Sequence, residues 1–283
     1  MKVVTAVVNN LDFIRIQHYT LKKFFKGDYE FIVFNDAKAF PDFTNDNDPT
    51  IRGQIENLCK SLGITCINVP NEQHRHDRNA ASRCADAMNY ILNYQKANPD
   101  RYLLIDSDMF LIDSFDPTKY ANYDCAVVLQ SRPNNISYFW NGIYYFDMTR
   151  MKNIELLDWS TCHMCDVGGM MQAWLKKQMK EKQMPSTDNI RWTNNTYHTD
   201  TIYFIKHLWS CSWDNNELPS NITNKNLIDF FKIDPRNTNG KFFCEVYDNV
   251  FLHYRAGGNW RGEGMEFHKQ FTHLLMKILT DQF

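Results

Sequence analysis

The segment Val3 to Val8 is a continuous run rich in β-branched residues that stops at Asn9-Asn10. It lacks the in–out alternation of a half-exposed strand and predicts one buried on both faces of a parallel sheet. Leu11, Ile14, Tyr19, Leu21, Phe24 and Phe25 then recur at roughly helical spacing and stop at Gly27, a plausible C-terminal cap. Glu30-Phe31-Ile32-Val33-Phe34 predicts a second buried strand ending at Asn35-Asp36. Ile51, Ile55, Leu58 and Leu62 mark a helix between Thr50 and Gly63, and Ile64 to Val69 predicts a third strand. A long helix from about Asn79 to Gln95 carries Ala81, Ala85, Met88, Ile91 and Leu92 on one face and ends at Asn98-Pro99-Asp100. The strand that follows, Arg101 to Ile105, runs into Asp106-Ser107-Asp108.

Further strands are predicted at Cys125–Leu129, Gly142–Phe146 and Val250–His253, and helices around Val167–Met179 and Thr199–Trp209. The Asn- and Thr-rich stretch Met184–Tyr197 reads as a long loop, which in a compact domain is usually functional or disordered. Phe267, Phe271, Leu274, Leu275 and Ile278 give the closing helix an amphipathic face that packs. The alternation predicts an α/β fold with a mixed, mainly parallel central sheet flanked by helices, in a single catalytic unit over 1–283.

Composition narrows the function. Hydrophobic residues at 43% and aromatics at 14% are enough for a sizeable core in 283 residues. A net charge of −2 supplies no global positive field for a polyanion, which argues against a nucleic acid or an acidic membrane as partner. The apolar run near the N-terminus is too short for a signal peptide or a membrane span, and no later run is longer. A soluble, cytoplasmic protein is expected. Cys162 and Cys165 flank His163, but a structural zinc site needs a second ligand pair at comparable spacing, so buried thiols are the reading for most of the eight cysteines.

Asp106 and Asp108 carry the first candidate chemistry. In open α/β sheets ligands bind beyond the carboxyl ends of the strands, where this pair lies. Two carboxylates on a chain leaving a strand can reach one cation, and Mn²⁺ or Mg²⁺ there can neutralise charge building on a leaving diphosphate. Aspartates are also ordinary turn residues, so a plain cap remains the other reading.

The block Tyr102-Leu103-Leu104-Ile105-Asp106-Ser107-Asp108-Met109-Phe110 resembles the D-x-D segment of GT-A-fold, nucleotide-sugar-dependent glycosyltransferases. Phe139-Trp140-Asn141-Gly142-Ile143-Tyr144-Tyr145-Phe146 is similar to their aromatic-Asn-Gly strand, and Thr199-Asp200-Thr201 resembles their acidic helix start facing the reacting carbon. Phe251-Leu252-His253-Tyr254-Arg255-Ala256-Gly257-Gly258-Asn259-Trp260 resembles the His-aromatic-x-Gly-x-x-Lys-Pro-Trp segment of glycogenin-like members, whose His completes the metal site.

The resemblance implies a nucleotide-binding half over 1–108 and an acceptor-binding half over 109–283. It implies Mn²⁺ or Mg²⁺ on Asp106, Asp108 and His253, a nucleoside-diphosphate sugar as donor with a UDP-sugar favoured, and a glycan-type acceptor. Val8, Asn9 and Asp36 would lie beneath the base, and Arg78, Arg83 and Ser107 would reach the phosphates, ribose or sugar. Asp200 and Asn141 would be catalytic. Where relatives carry a Lys for the diphosphate this chain has Asn259, so that role passes to Arg255 or Arg261, with Gly257 and Gly258 letting backbone amides approach. Asp108→Ala is then expected to abolish transfer with little effect on thermal stability.

Two other readings start from the same residues. A haloacid-dehalogenase-like phosphatase would use Asp106 as nucleophile, but Phe110 departs from that pattern and the motif comes about a hundred residues late. A non-catalytic protein of the same fold would bind nucleotide or glycan without turnover. Tyr138, Phe139, Trp140, Tyr144, Trp192 and Trp260 could stack on sugars in either case or simply build the core.

Overall fold

A computed structural model describes residues 1–77, 79–132, 136–163, 165–179, 185, 196–261 and 264–280. Arg78, Trp192 and most of the predicted loop Met184–Tyr197 lie outside them. The main-sheet strands are β1 (Lys2–Val7), β2 (Glu30–Asn35), β3 (Thr65–Asn68) and β4 (Arg101–Ile105). A short β5 (Met109–Leu111) leaves the sheet, and β6 (Cys125–Arg132), β7 (Ile136–Asp147), β8 (Tyr197–His198) and β9 (Ile202–Phe204) complete it. The order is β3-β2-β1-β4-β7-β6-β9-β8. Only β7 and β8 run against the other strands, so the sheet is mixed and mainly parallel, as expected.

The helices are α1 (Leu11–Phe24), α2 (Ile51–Leu62), α3 (Ala80–Ala97), the single turn α4 (Thr118–Ala121), α5 (Gln172–Gln178), α6 (Lys225–Ile233) and α7 (Gly264–Thr280). Because β1, β2 and β4 are apolar at successive positions, the sheet buries both faces. Val4, Ile32, Phe34 and Leu104 pack against Met88, Ile91 and Leu92 of α3 and Trp174 and Leu175 of α5. On the other face Val3, Val33, Leu103 and Ile105 pack against Ile14 and Leu21 of α1 and Ile51 and Ile55 of α2. A four-stranded sheet, ordered β10 (His207–Leu208), β11 (Glu245–Tyr247), β12 (Phe251–His253) and β5, contributes to a third cluster with α6 and α7. None of the helices is long and apolar enough to cross a membrane, among the described residues.

One predicted element is corrected. The segment 199–209 forms β9 and β10 rather than a helix. Ile202, Tyr203, Phe204 and Ile205 are all buried, and Ile202–Phe204 pair in parallel with Cys125–Val127. A short run of β-branched and aromatic residues is ambiguous by periodicity, and the open edge of β6 decided it.

Candidate metal centre and the cavity beside it

The chain leaves the main sheet at the end of β4 and enters the small sheet at β5, and Asp106, Ser107 and Asp108 form the turn between them. Met109 N–H donates to Asp106 O at 3.0 Å. Gln17 of α1 clamps the same turn, its Nε2 donating to the carbonyls of Asp106 at 2.8 Å and Met109 at 3.1 Å. Antiparallel pairing of β5, β12 and β11 then sets Met109 opposite His253 and His253 opposite Glu245. Residues opposite each other share one face. Register alone therefore brings an imidazole and a third carboxylate to a turn some 145 residues away in sequence.

His253 Nε2 lies 3.1 Å from Asp108 Oδ1 and 4.0 Å from Asp106 Oδ2. Asp108 Oδ2 accepts from Gly257 N–H at 2.8 Å. A Cβ on Gly257 would meet Phe13 Cζ at 2.4 Å, so only glycine brings that amide so close. The ligand atoms of Asp106, Asp108 and His253 all lie within 4.8 Å of one another, close enough to share one cation. They are the one such His, Cys, Asp or Glu group among the described residues.

Glu245, which sequence reasoning missed, holds the other ring nitrogen: His253 Nδ1 and Glu245 Oε2 are 2.8 Å apart, and Tyr247 Oη donates to the same oxygen at 2.8 Å. Its signal was a lone acid in the apolar run Phe242-Phe243-Cys244-Glu245-Val246-Tyr247. Burial alone would depress the imidazole pKa, but Asp108 and Glu245 on either side reverse this and lift it to about 10. Burial also opposes both carboxylates, yet the His253 charge and hydrogen bonds outweigh it and hold Asp108 and Glu245 below their usual range. Asp106 meets the imidazole only at 4.0 Å; enclosure and the neighbouring Asp108 charge outweigh that attraction and push it up to about 6.

Asp106 and Asp108 of the triad line a cavity of about 510 Å³, with His253 behind Asp108. The cavity's position between β1 and β4, from which the chain winds off in opposite directions, is where such sheets bind ligands. Ala6 and Val8 from the β1 end and Leu104 and Ile105 from β4 line its floor, and Arg83, Cys84 and Met88 of α3 line one wall. Ala256, Gly258, Asn259 and Arg261 line the other wall, and Asp36, Lys38, Phe43 and Thr44 the far end. Asn9 fastens two of these walls, its Nδ2 donating to Thr44 O and Gly258 O, both at 2.9 Å. Asn141 reaches the cavity from a β7 bulge: Val127 pairs with Tyr144 but Val128 with Trp140. Bulges re-aim side chains in this way. The Asn141 amide donates to Cys84 Sγ at 3.5 Å.

The cavity therefore gathers Val8, Asp36, Arg83, Asp106, Ser107, Asp108, Asn141, Gly258 and Arg261, and it adds Lys38, Phe43 and Cys84, which had no readable signal. Several are already engaged. Asp36 Oδ1 accepts from Lys38 Nζ at 3.0 Å and Asn71 Nδ2 at 2.8 Å, and Arg83 is paired with Asp42 at 3.0 Å. Arg261 lies over the Phe43 ring at 4.3 Å.

Two expectations fail here. Asp200 is exposed, in the turn just before β9. Ile202 is level with Cys125, Phe146, Tyr102 and Lys2 across the sheet, so Asp200 sits at the end opposite the triad. At ~3.3 Å per residue that is on the order of 15–20 Å away. Arg255 also departs: with φ of 68° there and 59° at Ala256, the backbone turns its side chain out of the cavity. Its Nη1 instead donates to Ser210 Oγ at 2.8 Å.

No protein-family profile and no curated protein matches the chain. Among solved structures it is similar to the galactosyltransferase LgtC in complex with donor and acceptor sugar analogues, at 14% identity and a TM-score of 0.45 over 99% of this chain and 96% of that one. An active-site mutant of LgtC is similar at 14% identity and 0.38, over 55% and 61% respectively. The apo bifunctional glycosyltransferase WbbM is similar at 14% and 0.35, over 53% and 32%.

Proposed function

We propose that this chain is a metal-dependent glycosyltransferase of the GT-A type, moving a sugar from a nucleoside-diphosphate sugar to a hydroxyl of a glycan-type acceptor. The supporting observation is the Asp106-Asp108-His253 group, two of whose carboxylates line a cavity of about 510 Å³ at the sheet's switch point. Mn²⁺ or Mg²⁺ held by these three residues would supply an electrophile for the diphosphate leaving group. Asp36, which lines the cavity and keeps its second oxygen out of the Lys38 and Asn71 contacts, would accept from an imide N–H, which favours a UDP-sugar. Arg261 and the backbone at Gly258 would meet the diphosphate, and Asn141 would hydrogen-bond the donor sugar. The acceptor hydroxyl oxygen forms the new bond to the anomeric carbon as the bond to the diphosphate breaks, and the hydroxyl proton passes to the departing diphosphate or to water.

The test is thermal shift with nucleoside diphosphates and UDP-sugars, with and without Mn²⁺, since a ligand that binds only the native state raises its apparent stability. Stabilisation that needs both partners is expected, followed by metal-dependent transfer or hydrolysis. A nucleotide-sugar that never stabilises the chain with metal present would remove the reading, and bound donor left intact would select the non-catalytic alternative.

Arg261→Ala is expected to raise the dissociation constant for UDP with Mn²⁺ by roughly tenfold or more, the loss of about one charged hydrogen bond. Arg255→Ala should leave it within about twofold, because that side chain faces away from the cavity. Calorimetry decides, and equal effects would contradict the division between the arginines. Glu245→Gln should weaken Mn²⁺ binding by roughly 10–100-fold, as the loss of an outer-shell partner does. Unaltered Mn²⁺ affinity would show that Glu245 does not tune the imidazole.

A further inference from the structure

The far end of the cavity is closed by a buried ammonium. Lys38, just after β2, is 1% exposed and yet is one of the residues that line the cavity. Its Nζ meets Asp36 O at 3.1 Å, Asp36 Oδ1 at 3.0 Å and His74 Nδ1 at 3.1 Å. An ammonium has three donors and no acceptor, so all three are engaged and His74 Nδ1 accepts. The ring proton of His74 then sits on Nε2, which donates to Asp86 Oδ2 at 2.9 Å. Asp86 lies on α3 and is exposed, so the line Asp36-Lys38-His74-Asp86 runs from the cavity to solvent.

With every donor taken, Lys38 has none to offer a phosphate, and its effect falls on Asp36. Asp36 Oδ1 accepts from Lys38 and, at 2.8 Å, from Asn71 Nδ2, so both lone pairs of that oxygen are occupied. Asn71 Nδ2 also donates to Asp36 O at 2.9 Å, and the Asp36 N–H donates to Val7 O at 2.9 Å, which fixes the backbone of the residue. Among the described residues no donor meets Asp36 Oδ2. Asp36 therefore offers the cavity one acceptor oxygen, held in a fixed direction. Burial lowers the Lys38 pKa, and the Asp36 carboxylate opposes that fall, so the two groups hold each other in place.

We infer that Lys38, braced by His74 and Asp86, is a specificity-determining positioning residue: it leaves Asp36 one free oxygen, which selects a nucleotide whose base is an imide. Uracil and thymine present one N–H between two carbonyls, and a single acceptor satisfies it. Cytosine presents a ring-nitrogen lone pair at that position, which a carboxylate oxygen repels. Guanine presents two adjacent donors, which call for both oxygens of a carboxylate. A mismatched base leaves polar groups unpaired in the cavity, and a site built on a hydrogen bond discriminates strongly against that. This rests on the glycosyltransferase reading, since the base is that of its nucleotide-sugar donor.

The experiment is calorimetry on the full chain with Mn²⁺, using UDP, dTDP, CDP, GDP and inorganic pyrophosphate, which has no base. UDP or dTDP should bind at least about tenfold tighter than CDP and GDP, the worth of about one charged hydrogen bond. Lys38→Met and His74→Leu should each cut that preference severalfold, with pyrophosphate affinity held within about twofold. His74→Gln should keep the preference, because its carbonyl can accept from Lys38 and its amide can donate to Asp86. A thermal melt shows whether Lys38→Met folds, and where it does not the two His74 variants decide. Equal binding of the four nucleotides, tighter binding of CDP or GDP, a preference unchanged in the substituted chains, or a His74→Gln variant as unselective as His74→Leu overturns the inference. Failure of both UDP and pyrophosphate to bind with Mn²⁺ removes the donor reading itself, and this inference with it.

Discussion

Asp108→Ala should lose divalent-cation binding, and metal-dependent transfer with it, by more than the roughly 10–100-fold typical of an outer-shell partner, because Asp108 would be a ligand itself. The structure changes the second half of what the sequence suggested, that folding would be indifferent. Asp108 is 4% exposed, and its two oxygens meet His253 Nε2 and the Gly257 N–H. Its removal leaves a buried imidazolium with one carboxylate fewer and an amide without its acceptor. Breaking a buried pair costs about 3–5 kcal/mol, which for a chain of this size lowers Tm by about 6–20 °C. Asp108→Asn separates the two effects. Its carbonyl can still accept from Gly257 and its amide can donate to a neutral imidazole, so most of the stability should remain while the cation is lost. Calorimetry with Mn²⁺ beside a thermal melt reads both, and full metal-dependent activity in either variant would remove Asp108 from the metal centre.

What could be read from the sequence depended on distance along the chain. The carboxylate pair and the strand before it are local, so an apolar run and the turn after it sufficed to place Asp106 and Asp108 at a ligand-binding edge. His253 was legible from its strand end and the glycines that follow. Glu245 was not, because its role comes from the register of β11 against β12, and periodicity says nothing about which strands become neighbours. Asp200 was misplaced for the same reason: its height on the sheet depends on β9 pairing with β6, and a buried run of four residues fits a helix or a strand equally well. Arg255 and Arg261 are equivalent in composition, and only the two successive left-handed residues between β12 and Gly257 turn Arg255 out of the cavity that Arg261 lines. Lys38, buried at 1% exposure against Asp36 and His74, carried no pattern at all.

Cation binding should be strongly proton-linked. The Nε2 lone pair of His253 that would face a metal is the one carrying a proton against Asp108, and its pKa is raised to about 10. A cation at the triad must displace that proton, so apparent Mn²⁺ affinity should rise about tenfold per pH unit through the neutral and mildly alkaline range. Below about 6 Asp106 also takes up a proton, and the dependence should steepen toward two protons per ion. The stability of the chain in chelator follows the opposite sign for His253. A raised histidine pKa contributes stability that is fully present below the ordinary 6.5 and is lost as pH climbs toward about 10. The raised Asp106 pKa is unfavourable instead, its cost appearing above the ordinary 3.8 and complete above about 6. Calorimetric titration with Mn²⁺ in buffers of different ionisation enthalpy counts the protons directly, and close to one released per ion near neutral pH is expected. No proton release, with an affinity flat across that range, would mean that the ion binds without His253.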